Sequence, residues 1–415
     1  MITDLIRILL TRSFKPLKLT DKASADKDSG ELGFGIYVHI PFCITLCPFC
    51  PYNKIKYDKK IVKPYCQALI SEINMAGRLN GLNKNVNSVY FGGGTPALIA
   101  DELPEIIAAL RNNFNIKSNI GIELHPRDIN EESLRKIKDA GFDMVSIGIQ
   151  SFDQGTLDSL GREYIDGKEK VILARDAGFS VIDVDLIFGI KNQTEESLKS
   201  DFITAYKSGA TQVSTYPFID FSYAKNINKP SGKNKKRKFL NCIEDTAGEI
   251  DWKRTAVWTF GKKGSSRYSS ITRDVFMGFG ASSVSLTKNK FKINTFSVPE
   301  YIKRVNEGKI PTALSMELNL RNRALYWLFW NAYTLKFDNS EFKKLFGKNL
   351  KDVFRIELFM AAILGIIKKE DDNYYLTKRG IYFYHLAEQK FTNQYIDKTW
   401  RTASNNPWPE EIKLY

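Results

Sequence analysis

The most constraining feature of the sequence is a regular alternation between residues 35 and 218. Six short runs rich in Val and Ile recur there: GIYVHI from Gly35, NSVYF from Asn87, NIGIEL from Asn119, DMVSIGI from Asp143, SVIDVDLIF from Ser180 and TQVSTYPF from Thr211. Between them lie stretches with helical periodicity, from Lys63, Asp101, Asn130, Gly167 and Thr194. Asn130 and Thr194 are expected N-caps, as is Asp101 with Pro104 in the first turn. Gly141 closes the third helix. Alternating β and α elements of this kind predict parallel strands joined by right-handed crossovers, buried on both faces. Two closures fit, an open doubly wound sheet or a barrel. No G-x-G-x-x-G follows the first strand, which removes the main argument for a dinucleotide fold. Polar residues recur at strand ends instead: the Gly92–Gly94 turn, Glu123, Gln150 and Asp185. In a barrel such ends converge on one mouth. The expected fold is therefore α/β, a partial (β/α)6 barrel of TIM type.

Residues 1–34 read as an extension and linker, 35–220 as the barrel, and 221–309 as an irregular region that completes it and covers the substrate. Residues 310–415 read as a helical, winged-helix-like unit, with the helices NLRNRALYWLFWNAY, SEFKKLF and KDVFRIELFMAAIL and the hairpin GIIKKEDDNYYLT. The third helix is apolar over most of its length, so it is expected to pack rather than to read nucleic acid. A net charge of +14 admits nucleic acid, anionic lipid or acidic small molecules as partners. Its one dense tract, KNKKRK (Lys233 to Lys238), is expected to be a solvated loop. No apolar run approaches the ~20 residues of a membrane span. The N-terminal MITDLIRILLTRSFKPLKL is broken by Arg7 and has no small-residue cleavage site. It reads as a frayed or docked helix, with a membrane-touching amphipathic helix as the alternative.

Three of the five cysteines, Cys43, Cys47 and Cys50, form a C-x3-C-x2-C run after the first strand. Such a cluster, without a disulfide framework, indicates metal chemistry in a reducing compartment and hence a cytoplasmic protein. Thiolates select zinc or an iron–sulfur cluster. His39 offers a fourth ligand for a closed Cys3His zinc site. On a four-iron cluster, three cysteines leave one iron open to a substrate or cofactor. FGGGTP follows the second strand, where glycines allow a sharp turn and close backbone approach to a ligand. Cys66 and Cys242 are expected to be buried small apolar residues, and His125 and His385 ordinary polar ones.

Taken together, YVHIPFCITLCPFC, FGGGTP, SIGIQSFD, LGR and DLIFGI resemble the radical S-adenosylmethionine (SAM) superfamily. Within it the chain looks like the oxygen-independent coproporphyrinogen III oxidase-like branch, which includes class C methyltransferases and haem chaperones. The resemblance covers residues 35 to about 285, with a weaker likeness at LTKRG. It implies that Cys43, Cys47 and Cys50 hold a [4Fe–4S] cluster whose open iron takes SAM. Tyr37 and Phe49 would touch SAM near the cluster, and Gly93, Gly94 and Thr95 its methionine part. Glu123, Gln150, Arg162 and Asp185 would bind SAM groups or a second SAM. It further implies reductive cleavage of SAM, an electron donor such as flavodoxin or ferredoxin, and a carboxylated substrate such as a tetrapyrrole. Decarboxylation, methyl transfer with two SAM molecules, and haem delivery all remain open. One departure stands out: the branch's oxidases carry a fourth cysteine two residues after the third, where this chain has Tyr52.

Overall fold

The computed structural model describes residues 17–22, 33–80, 84–117, 119–226, 229–262 and 274–414. The N-terminal amphipathic segment and most of the linker lie outside them. Six parallel strands form the centre: β1 (Phe34–Ile40), β2 (Lys84–Gly93), β3 (Ile120–Leu124), β4 (Met144–Gln150), β5 (Val181–Phe188) and β6 (Gln212–Pro217). Each pairs in parallel with the next. Ile36, Val38 and Ile40 of β1 and Val184, Leu186 and Phe188 of β5 are fully buried. Burying each such side chain contributes about 1.5–3 kcal/mol, which is why the Val/Ile runs become strands rather than loops.

The helices between the strands are α1 (Lys59–Asn80), α2 (Leu103–Asn113), α3 (Glu131–Asp139), α4 (Gln154–Leu160), α5 (Gly167–Asp176) and α6 (Glu195–Ser208). Asn130 and Thr194 cap α3 and α6 through reciprocal bonds with Ser133 and Ser197. Asp101 does not cap α2. The N-cap is Glu102, without a side-chain bond, and Asp101 pairs with Lys136 of α3 at 2.9 Å. Among the described residues β1 and β6 do not pair with each other, so the barrel stays open. Beyond β6 the strands Thr259–Lys262 and Trp252–Ala256 add in antiparallel fashion. Beyond β1, Phe276–Phe279 adds in parallel. Val284–Leu286, Lys290–Asn294, Thr312–Glu317, Leu17–Thr20 and Glu411–Leu414 then follow antiparallel.

Two expectations fail here. KNKKRK is not a loop but the first turns of a helix, α7 (Lys233–Glu249), because Lys236, Phe239, Leu240 and Ile243 form an inward face at helical spacing. The presumed recognition helix breaks at the buried Phe354 into Leu350–Val353 and Arg355–Ile363. The second piece is not a packing surface. Leu358 turns inward, while Ile356, Phe359 and Ile363 are 58%, 66% and 69% exposed. The hairpin (Ile367–Glu370 with Asn373–Leu376) forms as expected and is joined by Lys336–Phe337. Helix Lys378–Phe391, a π turn at Thr392–Ile396 and helix Asp397–Asn405 then lead back toward the barrel mouth. Among the described residues no helix is long and apolar enough to cross a membrane.

Candidate functional site at the barrel mouth

The cysteine loop leaves β1 through a narrow neck. Phe42–Cys43 pairs in parallel with Ile55–Lys56, and the Ile55 and Tyr57 amides donate to the Pro41 and Cys43 carbonyls at 2.7 and 2.8 Å. Between those ties the loop carries Cys43, buried, and Cys47 and Cys50, half-buried. The Cys50 amide donates to the Cys47 carbonyl at 3.3 Å, and Lys54 Nζ to the Cys50 carbonyl at 2.6 Å. Thr95 Oγ1 lies 3.9 Å from Cys43 Sγ. Burial pushes the Cys43 thiol up to about 12 and raises that of Cys50. Thiols raised in this way, Cys43 and Cys50, favour the thiolate when a positive centre arrives, and a bound metal cluster would supply one.

His39 does not complete a zinc site. Its Nε2 faces the Asn53 carbonyl at 2.9 Å and must donate, which leaves Nδ1 to accept from the Tyr37 hydroxyl at 3.0 Å. Burial lowers its pKa to about 4, so the ring stays neutral. Both nitrogens are occupied within the protein. Among the described residues no three His, Cys, Asp or Glu side chains form a ready-made grip for a single metal ion. The donor set fits a cluster with one open iron better than a closed Cys3His zinc.

The Gly92–Gly94 turn lies against this loop. The amides of Gly94 and Thr95 donate to the carbonyls of Ile40 and Phe42 at 2.8 and 2.7 Å, and that of Gly93 to Glu123 Oε2 at 3.0 Å. These amides are therefore not free for a ligand. They rivet the second loop to the first. Gly93 has φ +119°, and a Cβ there would come within 2.5 Å of the His39 ring. At Gly94 it would come within 2.5 Å of the Phe42 carbonyl oxygen. The glycines serve loop-to-loop packing.

The remaining predicted residues line the same end of the sheet. Glu123 at the end of β3 also accepts from Tyr90 at 2.8 Å, and burial raises its pKa. Tyr37 stacks on Tyr90, ring centroids 6.2 Å apart, with Glu123 and Cys50 as electrostatic neighbours. Asp185 of β5 accepts from Ser146 at 2.8 Å. Burial and the nearby Asp183 raise its pKa strongly. Gln150 ends β4 with φ +71°, a left-handed conformation that non-glycine residues adopt at a cost of order 1 kcal/mol. Arg162 follows α4, which Asp153 caps and Gly161 ends in the left-handed region. Its guanidinium donates to the Gly148 carbonyl at 2.6 Å and is desolvated, with Cys47, Cys50 and Asp185 as charge partners. Phe49 instead packs on an apolar patch of Leu160, Ile187, Ile190 and Phe218.

The sequence reading missed three groups at this end. Tyr216 closes β6 near Asp185. Glu388, on the C-terminal helix, is an electrostatic neighbour of Tyr52, and burial raises it to about 7. Lys236, the inward residue of the basic run, donates to the Gln389 side chain at 3.0 Å. Only helical spacing within KNKKRKFL signalled Lys236. Cys242 is half-buried rather than buried, and its thiol lies 3.4 Å from the Glu195 carbonyl. His125 accepts from the Arg127 amide, whereas His385 is fully buried between Trp258 and Gln389.

The model of the Radical SAM superfamily matches residues 37–202. The heme chaperone HemW of Bacillus subtilis (strain 168) is 25% identical over 366 residues, covering 83% of this chain and 95% of the relative. An oxygen-independent coproporphyrinogen III oxidase of Pseudomonas aeruginosa is 33% identical over 187 residues, 43% of this chain and 41% of the relative. The solved coproporphyrinogen III oxidase (HemN) of Escherichia coli, described as a radical SAM enzyme, superposes with a TM-score of 0.77 at 21% identity, over 90% of this chain and 95% of that one. At that identity the superposition shows a shared fold.

Proposed function

We propose, from the premise that this chain is a radical SAM enzyme of the HemN/HemW branch, that Cys43, Cys47 and Cys50 hold a [4Fe–4S] cluster and that the adjoining mouth binds SAM. The observation that carries the reading is the joint between the cysteine loop and the glycine turn, made by the Gly94 and Thr95 amides. When bound, a cluster held by Cys43, Cys47 and Cys50 would supply the one-electron reducing chemistry for cleaving SAM. The chain's own residues bind and orient. Glu123 and Asp185 are carboxylates suited to accept from an amine or from ribose hydroxyls, and Arg162 is suited to pair with a carboxylate. Tyr37, Phe49 and Gln150 complete the pocket for one or two SAM molecules, and Gly93, Gly94 and Thr95 shape it by holding the glycine turn against the cysteine loop. The substrate in this reading is a carboxylated tetrapyrrole, in keeping with the names of both relatives. A flavodoxin or ferredoxin supplies the electron.

Anaerobic reconstitution tests this. About four irons per chain are expected, with loss on replacing Cys43, Cys47 or Cys50 by Ala and retention on replacing Cys66 or Cys242. With dithionite and SAM, 5′-deoxyadenosine should appear by mass spectrometry. S-adenosylhomocysteine formed together with the product would favour methyl transfer over decarboxylation. A second reading, haem delivery, is favoured by the near full-length match to a heme chaperone. In that reading His39 is not the haem ligand, since both of its nitrogens are engaged. A protein that carries the cluster and binds haem tightly, yet never yields 5′-deoxyadenosine, would establish it.

A further inference from the structure

Tyr52 follows Cys50 by two residues, and its setting differs from that of a structural tyrosine. Its backbone is pinned on both sides. The Pro51 carbonyl accepts from the Tyr223 hydroxyl at 2.9 Å, and the Asn53 carbonyl from His39 at 2.9 Å. Asn53 in turn donates to the Phe296 carbonyl at 2.9 Å, and the Tyr52 amide bonds the Cys50 thiol. The side chain, by contrast, is 52% exposed, and its hydroxyl has no hydrogen-bond partner among the described residues. Its electrostatic neighbours are Glu123 from β3, Cys50 from the cysteine loop, Asp185 from β5 and Glu388 from helix Lys378–Phe391. The ring is thus open to solvent at the rim of the mouth to which these four segments contribute. Behind it lies Trp400, ring centroids 5.9 Å apart, itself backed by Phe296 at 6.3 Å.

A rigid backbone that presents an open aromatic ring is preorganised for a ligand. The ring offers a flat apolar face, and Glu388, whose Oε2 is buried without a hydrogen-bond partner among the described residues, offers an acceptor for an N–H group. We propose that Tyr52, backed by Trp400, is a substrate-contact residue that selects a flat ring bearing an N–H donor, as each pyrrole of a metal-free tetrapyrrole can be. The proposal rests on the tetrapyrrole reading above and assigns the surface that would hold the ring. Loss of the stacking ring should weaken binding about ten-fold or more.

The test is fluorescence titration of the reconstituted holoprotein with free-base protoporphyrin IX. Tyr52→Leu should lose about ten-fold in affinity, and Tyr52→Phe, which keeps the ring, should lose much less. Trp400→Leu, distant in sequence from the cysteines, should also weaken binding, and it covers the case in which Tyr52→Leu disturbs iron loading. Ile356→Ser, on the exposed C-terminal helix, should bind as the parent does. Parent-like affinity in both Leu variants, or no protoporphyrin binding by the parent, overturns the proposal. The radical SAM reading fails separately, by absence of 5′-deoxyadenosine without any tetrapyrrole present. Porphyrin binding that depends on Tyr52 would stand even then.

Discussion

His39 commits both ring nitrogens to the protein and thereby fixes two things at once. Its N–H holds the carbonyl three residues beyond Cys50, and its lone pair holds the hydroxyl of Tyr37. Leucine at this position would leave both partners unpaired in a buried setting, at about 1–3 kcal/mol each. His39→Leu should therefore reduce iron retention after reconstitution several-fold while far-ultraviolet circular dichroism stays unchanged. His39→Gln, which keeps one donor and one acceptor, should recover part of the loss. Equal iron content in His39→Leu and the parent would show that the clamp is dispensable. The sequence alone offered His39 as a zinc ligand. Only the position of the Asn53 carbonyl decides, and no spacing rule reports a bond across fourteen residues.

At the scale of elements, the two loops at the mouth behave as one unit. The reason for the glycines changes accordingly: a side chain at 93 or 94 meets protein before any cofactor. Gly94→Ala drives its methyl toward the Phe42 carbonyl, which is backbone and cannot swing aside. Gly93→Val adds strain at φ +119° and pushes against His39. Both variants should lose iron as well as SAM cleavage. A variant that keeps four irons and loses only SAM binding would return the glycines to a purely cofactor-facing role. The strands and helices of the barrel were legible because Val/Ile runs and the Asn130 and Thr194 caps are local signals. So was the C-x3-C-x2-C loop, because its spacing is local too. The basic run was misread because composition outweighed the 236–239–240–243 face that packs it. The strands between 252 and 317 are short and draw their stability from pairing with distant segments, Phe276–Phe279 against β1 among them. That information is non-local. Tyr52 was visible as a departure from a pattern, but its open ring depends on Trp400, which lies 348 positions later in the chain.

Across the whole molecule, one buried carboxylate joins the barrel to the sheet that extends it. Glu72 of α1 accepts from the Gly280 amide at 2.8 Å, the Asn294 side chain at 2.7 Å and the Tyr301 hydroxyl at 2.5 Å. Those donors come from the bend just after strand Phe276–Phe279, the strand ending at Asn294 and helix Val298–Asn306. Burial outweighs the three bonds and raises Glu72 from 4.5 to about 7. The folded chain therefore holds a proton that the unfolded chain has released between those two values. The group's contribution is fully present below about pH 4.5, falls as pH rises toward 7, and is flat above it. A shift of that size corresponds to about 3 kcal/mol. His39, lowered to about 4, and the half-buried His125 and buried His385, each lowered to about 3, act in the opposite sense, losing stability as pH falls below 6.5. These histidines are common to parent and variant and cancel in the difference between them. Chemical denaturation of Glu72→Gln and the parent, compared from pH 5 to pH 8, isolates the carboxylate. The variant should be the less stable at pH 5, since its amide N–H faces donors in place of an acceptor. The gap should narrow by up to about 3 kcal/mol at pH 8. Parallel profiles would show that Glu72 does not titrate in this range and that its three donors, rather than burial, govern its charge.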